Sequence, residues 1–263
     1  MKIPILHNPK RLLTAAFFSI LFSCKAQAPF SKLIWQDEFE TPGKPDATRW
    51  NYDTARGCPD NCGWGNNELQ YYTTRTDNAI VENGLLKIIA LREGYNGAGF
   101  TSARLKSKGK FDVKYGKIEV RARVPEGIGT WPAVWMLGSN IDKVGWPACG
   151  EIDIMEHRGY ELNKIFGTLH YPGHSGDNAD GKTRLIENAT GQFHTYSAEW
   201  TKEQIKLKVD GETIHTLKNS TDLPFNHEFF LLMNMAIGGG FAGPVEPGLD
   251  KAVLEIDYIR VYQ

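Results

Sequence analysis

Long helical patterns are what this 263-residue chain most lacks. No stretch beyond a few turns places apolar residues at the spacing that gives a helix one buried face, so the core falls to strands. Internal repeats, low-complexity linkers and any sign of a second domain are missing too, and the length suits one large domain. Charge of one sign is also lacking: 30 Lys and Arg stand against 31 Asp and Glu, for a formal net charge of −1. With no basic stripe interleaved with aromatics, nucleic acid is excluded as a partner. Cysteine is scarce, at four residues. Cys58 and Cys62 have no second ligand pair at a spacing zinc needs. In an oxidising compartment they are expected to close a small disulfide loop. Cys149 is left as buried packing, and Cys24 belongs to the N-terminal segment.

The apolar run from Leu12 to Ser23 follows Lys10 and Arg11. It is too short to span a bilayer and has the form of an export signal. Residues 1–28 are therefore expected to be signal and short linker, and 29–263 one domain. Two maturation routes stay open. Ala26-Gln27-Ala28 fits cleavage after Ala28, with Pro29 against it, whereas Leu21-Phe22-Ser23-Cys24 resembles a loose lipobox in which Cys24 is lipidated. Either exports the protein, as a membrane-anchored surface lipoprotein or into periplasm or medium. No sustained apolar surface pattern argues for an oligomer, so a monomer is expected.

Aromatics are plentiful, with 7 Trp, 10 Tyr and 13 Phe, and so are short strand patterns. Residues 31–40 read as a first strand. Ala79 to Arg92 reads as a hairpin turned at Asn83-Gly84, and Gln204 to Leu217 as another turned at Asp210-Gly211. Lys117 to Val124 alternates cleanly, and Phe229 to Ile237 and Ala252 to Tyr262 are late strands. Many short strands at close spacing predict an all-β sandwich or barrel.

The most informative stretch is Gly150-Glu151-Ile152-Asp153-Ile154-Met155-Glu156-His157. In a strand, Glu151 and Asp153 share one face and Ile152 and Ile154 the other. Glu156 falls on the wrong parity unless a β-bulge at Met155 supplies one extra residue. Three acids would then line one face with nothing basic between them. Repulsion along such a row raises the pKa of one carboxyl and keeps it protonated as an acid. Two carboxyls flanking one bond is the arrangement of glycoside hydrolysis. Twenty residues upstream, Trp131 and Trp135 share a strand face with small Ala133 between them, while Val134 and Met136 supply the apolar opposite face. Aromatic planes on an open face suit the C–H-rich faces of sugars.

Glu151-x-Asp153-x-x-Glu156, within Trp146-Pro-Ala-Cys-Gly-Glu-Ile-Asp-Ile-Met-Glu, resembles the active-site strand of glycoside hydrolase family 16. Its bulged spacing is most similar to the bacterial laminarinases, the endo-β-1,3-glucanases, and the likeness runs from about Trp35 to Tyr262. The resemblance implies a concanavalin A-like β-jelly roll of two curved antiparallel sheets with a concave substrate cleft. It implies Glu151 as nucleophile, Glu156 as general acid and base, and Asp153 as the group that orients Glu151 and tunes both. It adds Trp146 to Trp131 and Trp135 as substrate platforms, and implies sugar contacts from Trp64, Asn66, Arg104, His170 and Asn234. The segment Met233 to Phe241 departs from the family pattern, in which a Trp often stands near Phe241. No catalytic cofactor is implied. A structural calcium is, at the backbone of Glu38 and Gly84 and the carboxylate of Asp257, although calcium takes six or more oxygens. The partner so implied is a β-1,3-glucan. The alternatives are a mixed-linkage glucan, an agar-type galactan, or a non-catalytic glucan-binding lectin on the same fold.

Overall fold

The computed structural model describes Met1 and residues 30–263. Cys24 and both cleavage motifs lie outside the described residues. The expected strands are present, and the described helical segments are single short turns such as Ile141–Val144 and Gly239–Ala242. Phe229–Ile237 has the bounds read from sequence, and both hairpins turn where Asn83-Gly84 and Asp210-Gly211 predict. Asn83 and Gly84 both adopt positive φ, as does Asp210 with Gly211, which is what tight two-residue hairpin turns require.

Two sheets pack face to face in a β-jelly-roll sandwich. The outer sheet runs Glu212–Lys218, Gln204–Val209, His194–Trp200, Gly116–Arg123, Lys251–Tyr262, Leu85–Tyr95, Ala98–Ser102 and Gln70–Tyr72. Leu33–Asp37 and Ala79–Glu82 pair onto it from the side. The second sheet, which carries the acid row, runs Asp180–Leu185, Lys164–His170, Glu151–His157, Thr130–Gly138, Phe229–Ile237, Arg104–Lys106 and Asn51–Asp53, with Asp112–Val113 attached to Phe229–Ile237. The expectation of antiparallel sheets holds except at one edge. Gln70–Tyr72 pairs parallel to Ala98–Ser102, because the chain returns to that edge through the long Ala79–Tyr95 hairpin.

Alternation decides which face packs inward. Val134, Met136, Ile152 and Met233 of the second sheet meet Leu86, Ile88, Ile118, Val120 and Ile256 of the outer one, all fully buried in one core. Burying each such side chain stabilises by about 1.5–3 kcal/mol. The opposite face of the second sheet is therefore free to form a cleft. Its residues Trp131, Trp135 and Leu137 remain partly accessible, in alternation with their buried neighbours.

Candidate active site

Strand register assembles the site. Against one neighbour, Glu151 pairs with His170, Asp153 with Thr168 and Glu156 with Phe166. Against the other, Glu151 pairs with Leu137, Asp153 with Trp135 and Glu156 with Ala133. Between Asp153 and Glu156 the register slips on both sides, which is the bulge that returns Glu156 to the acid face. The extra residue against the tryptophan strand is Ile154 rather than Met155, since Met155 pairs with Val134. Ile154 and Met155 are both fully buried in the core, so apolar burial on the inner face holds the bulge in place.

An indole holds each outer glutamate. Trp146 Nε1–H donates to Glu151 Oε2 at 2.7 Å, and Trp131 Nε1–H donates to Glu156 Oε1 at 3.1 Å. Thr168 Oγ1–H donates to the second oxygen of Glu156, also at 3.1 Å. Asp153 sits between them, 3% exposed, with Oδ2 3.2 Å from His170 Nε2. Burial pushes all three carboxyls above their ordinary range, Glu151 to about 8, and the charge of Asp153 adds to the push on Glu151. His170 and the Trp146 N–H oppose that rise at Glu151, while His170, Trp131 and Thr168 oppose it at Glu156. Asp153, pushed well above its ordinary range by burial and facing Glu156's charge, is the natural holder of a shared proton. A protonated Asp153 donates to Glu151 and leaves it ionised.

The cleft floor continues along the same face. Trp135 Nε1–H donates to Asn234 Oδ1 at 2.8 Å, and Asn234 Nδ2–H donates to Tyr72 Oη at 3.1 Å. The Arg104 guanidinium lies 4.7 Å from the Trp64 ring centroid and 4.8 Å from that of Trp135, with Asp53 beside its Nε at 3.0 Å. Asn66 is exposed on the same flank, its Nδ2–H donating to Glu68 Oε1 at 3.1 Å. On the other flank, Trp131 packs on Phe241 at 4.9 Å, and Phe241 meets Phe166 edge-on. Phe241 thus stands beside the platform where the sequence departs from the family pattern. Trp146, 49% exposed, closes the site beyond Glu151 and lies 5.7 Å from the His170 ring.

All eight residues expected to touch sugar therefore lie on this face or its rims. Sequence reading missed Thr168, Phe166 and Glu68. The first two share the alternation of Lys164–His170 with His170, so extending that row would have found them. Glu68 carried no such signal.

Glu151, Asp153 and His170 each present one ligand atom, all within 4.8 Å of one another, a spacing a divalent ion can bridge. The indole and hydroxyl donors on Glu151 and Glu156 match acid–base use better, since they stabilise carboxylates without any metal. Glu38, Gly84 and Asp257 gather elsewhere. Glu38 follows Asp37, the partner of Ile259; Gly84 precedes the strand whose Leu86 pairs with Ile256; and Asp257 falls at a register slip between them. Asp257 pairs with Arg121 and Glu38 with Arg260. Two backbone carbonyls and one carboxylate fit calcium in kind, with water needed to complete the shell. Cys58 and Cys62 are joined in a disulfide, and Cys149 is buried with a free thiol.

Residues 66–260 match the family described as glycosyl hydrolases family 16. A β-glucanase of Rhodothermus marinus is 40% identical over 285 residues, covering 99% of this chain and 98% of that one. The glucan endo-1,3-β-glucosidase A1 of Niallia circulans is 36% identical, over 88% of this chain and 38% of that longer protein. The catalytic domain of an endo-1,3-β-glucanase (laminarinase) from Thermotoga petrophila superposes with a TM-score of 0.83 at 42% identity, covering 88% of this chain and 97% of that domain.

Proposed function

Since the chain belongs to glycosyl hydrolases family 16, we propose that it is an endo-acting, retaining hydrolase of β-1,3-glucan, with Glu151 as nucleophile and Glu156 as acid and base. The observation that carries the reading is the bulged row itself. It sets two glutamates on one face around a buried aspartate and gives each an indole N–H. Relatives of similar length and fold bear glucanase names.

In the first step Glu151 attacks the anomeric carbon while Glu156 gives its proton to the glycosidic oxygen, and the leaving chain departs as an alcohol. The Trp146 N–H fixes the Glu151 oxygen that does not attack. Asp153 keeps its proton on the side of Glu151. In the second step Glu156, now ionised, takes a proton from water, which attacks the same carbon and releases Glu151. Trp131 and Thr168 stabilise that ionised Glu156, so the residue changes role without moving. The same reading includes an exported monomer, either lipid-anchored at Cys24 or released by cleavage after Ala28, and a structural calcium at Glu38, Gly84 and Asp257 remote from the chemistry.

The test is reducing-end release by residues 29–263 on laminarin, lichenan, curdlan and agarose, with Glu151→Gln alongside. Release from laminarin that is lost in the variant, while the variant still binds laminarin, supports the reading. Release confined to agarose overturns the substrate, and binding without turnover in the unaltered protein leaves a lectin.

A further inference from the structure

The cleft's two flanks meet at a buried acid that the chemistry above does not use. Glu68 is 5% exposed, yet its carboxylate accepts three hydrogen bonds: from Asn66 Nδ2–H on Oε1 at 3.1 Å, and from Gln70 Nε2–H at 2.6 Å and Tyr72 Oη–H at 3.3 Å on Oε2. Each donor leads elsewhere. Tyr72 receives Asn234 Nδ2–H, and Asn234 in turn receives the indole N–H of Trp135. Gln70 Oε1 accepts the backbone N–H of Ile237 at 2.8 Å, at the end of the strand that carries Asn234. Asn66, through its carbonyl, accepts the N–H of Gly240, and Glu68 itself bridges to Gly238. Those glycines open the turn holding Phe241 against Trp131, whose indole binds Glu156.

Backbone geometry also ties the acid to the loop above it. The Glu68 N–H donates to the Gly63 carbonyl at 3.0 Å, and Gly63 adopts a φ of +63°. A Cβ at Gly63 would lie 3.0 Å from the Glu68 nitrogen at a positive φ, so any other residue would strain the turn that closes the Trp64 loop over the acid. A buried carboxylate is costly where packing alone is needed. An acceptor of several fixed donors is what a carboxylate offers and an apolar side chain does not.

We propose that Glu68 is the positioning residue of the substrate cleft: its carboxylate sets Asn66 and, through Tyr72 and Asn234, the Trp135 ring, and so determines how firmly the glucan chain is held away from the cleaved bond. This rests on the glucanase reading. Glu68 touches no reacting atom, so its effect falls on KM and on product length and not on the bond-breaking step.

Glu68→Gln keeps the volume but turns one acceptor oxygen into an N–H₂ that faces donors already in place. The experiment measures kcat and KM on laminarin, laminari-oligosaccharide binding by tryptophan fluorescence, and product lengths, all well below the measured Tm. The expected result is KM raised about tenfold, which is about 1.4 kcal/mol of lost binding, with kcat within about twofold. Products shift toward a broader length distribution. Glu68→Asp, which keeps the charge and shortens the reach, recovers part of the loss. Tyr72→Phe removes only the hydroxyl that links Glu68 to Asn234 and moves KM the same way by a few-fold, so the idea remains testable if Glu68→Gln does not fold. Unchanged KM and products, or a fall in kcat at constant KM, overturns the proposal. Inactivity of the unaltered protein on every glucan overturns the functional reading instead, and is told apart because it precedes any variant.

Discussion

Replacing Glu151 by glutamine removes one carboxyl from a buried row of three, and the consequence for stability depends on pH. Glu151 is raised to about 8 against an ordinary value of 4.5, so the folded Glu151–Asp153 pair keeps a shared proton up to about that pH, and that proton rests on Asp153 when Glu151 attacks. Below the ordinary value the carboxyl is protonated in both folded and unfolded chains, and the variant should match the parent. As pH rises the unfolded chain ionises first, so folding must take up a proton and the parent loses about 1.4 kcal/mol per pH unit. The loss is complete once pH passes the folded value, and over roughly 3.5 units it approaches about 5 kcal/mol. Glutamine ionises in neither state and escapes it. Asp153 also ionises more easily without a like-charged neighbour, which redistributes part of the effect, so the expected gain for Glu151→Gln near pH 9 is about 2–5 kcal/mol. The Trp146 N–H still finds an amide oxygen. Urea denaturation at about pH 4, 6 and 9 reads this directly. The reasoning is refuted if the difference between the two proteins is the same at all three pH values, or if the variant is the weaker at pH 9.

Two further outcomes follow from the same geometry. Trp131→Phe keeps a ring against Phe241 but withdraws the N–H from Glu156; losing a hydrogen bond to a carboxylate costs about 1.5–3 kcal/mol, so the acid's pKa should climb further above its ordinary range. As the proposed general acid Glu156 must be protonated to act, so the alkaline limb of kcat/KM against pH should move upward, and a limb that stays or moves down contradicts the hydrogen bond's role. For the calcium proposed at Glu38, Gly84 and Asp257, a chelator should lower the Tm while leaving kcat at assay temperature unchanged; loss of kcat at constant Tm would instead place an ion in the acid row, where Glu151, Asp153 and His170 gather.

How much of this was legible in the chain depends on whether a residue's role follows from its own strand. The acid row and the Trp131–Trp135 platform were readable because alternation fixes a face and the misfit of Glu156 announces its own bulge. The jelly-roll order came only from resemblance, since which strands pair is decided by contacts distant in sequence. The bulge moved by one residue for a similar reason: Ile154 and Met155 are equally apolar, and only pairing with Val134 decides which of them is extra. The parallel edge pair at Gln70–Tyr72 was hidden because its partner arrives after a hairpin, with no local pattern to mark it.

Glu68 shows where reading by residue type reaches its limit. In sequence it is one acid in an Asn- and Gln-rich loop, indistinguishable from a solvated one. Its importance comes from three donors on separate positions that converge only when the Trp64 loop folds over the sheet edge. The acids of the active strand announce themselves by crowding like charge on one face, a pattern local enough to see. The acid behind the cleft is the reverse case, a lone charge among amides and a phenol, and nothing about its neighbours in sequence says that they will all point at it. A buried carboxylate within reach of the Arg104 charge, accepting from three side chains that each reach a different wall, does in three dimensions what the bulge does along one strand: it turns separate elements into one preorganised surface. Catalytic groups can be found by their chemistry, while the groups that hold them are found by following each hydrogen bond to its end.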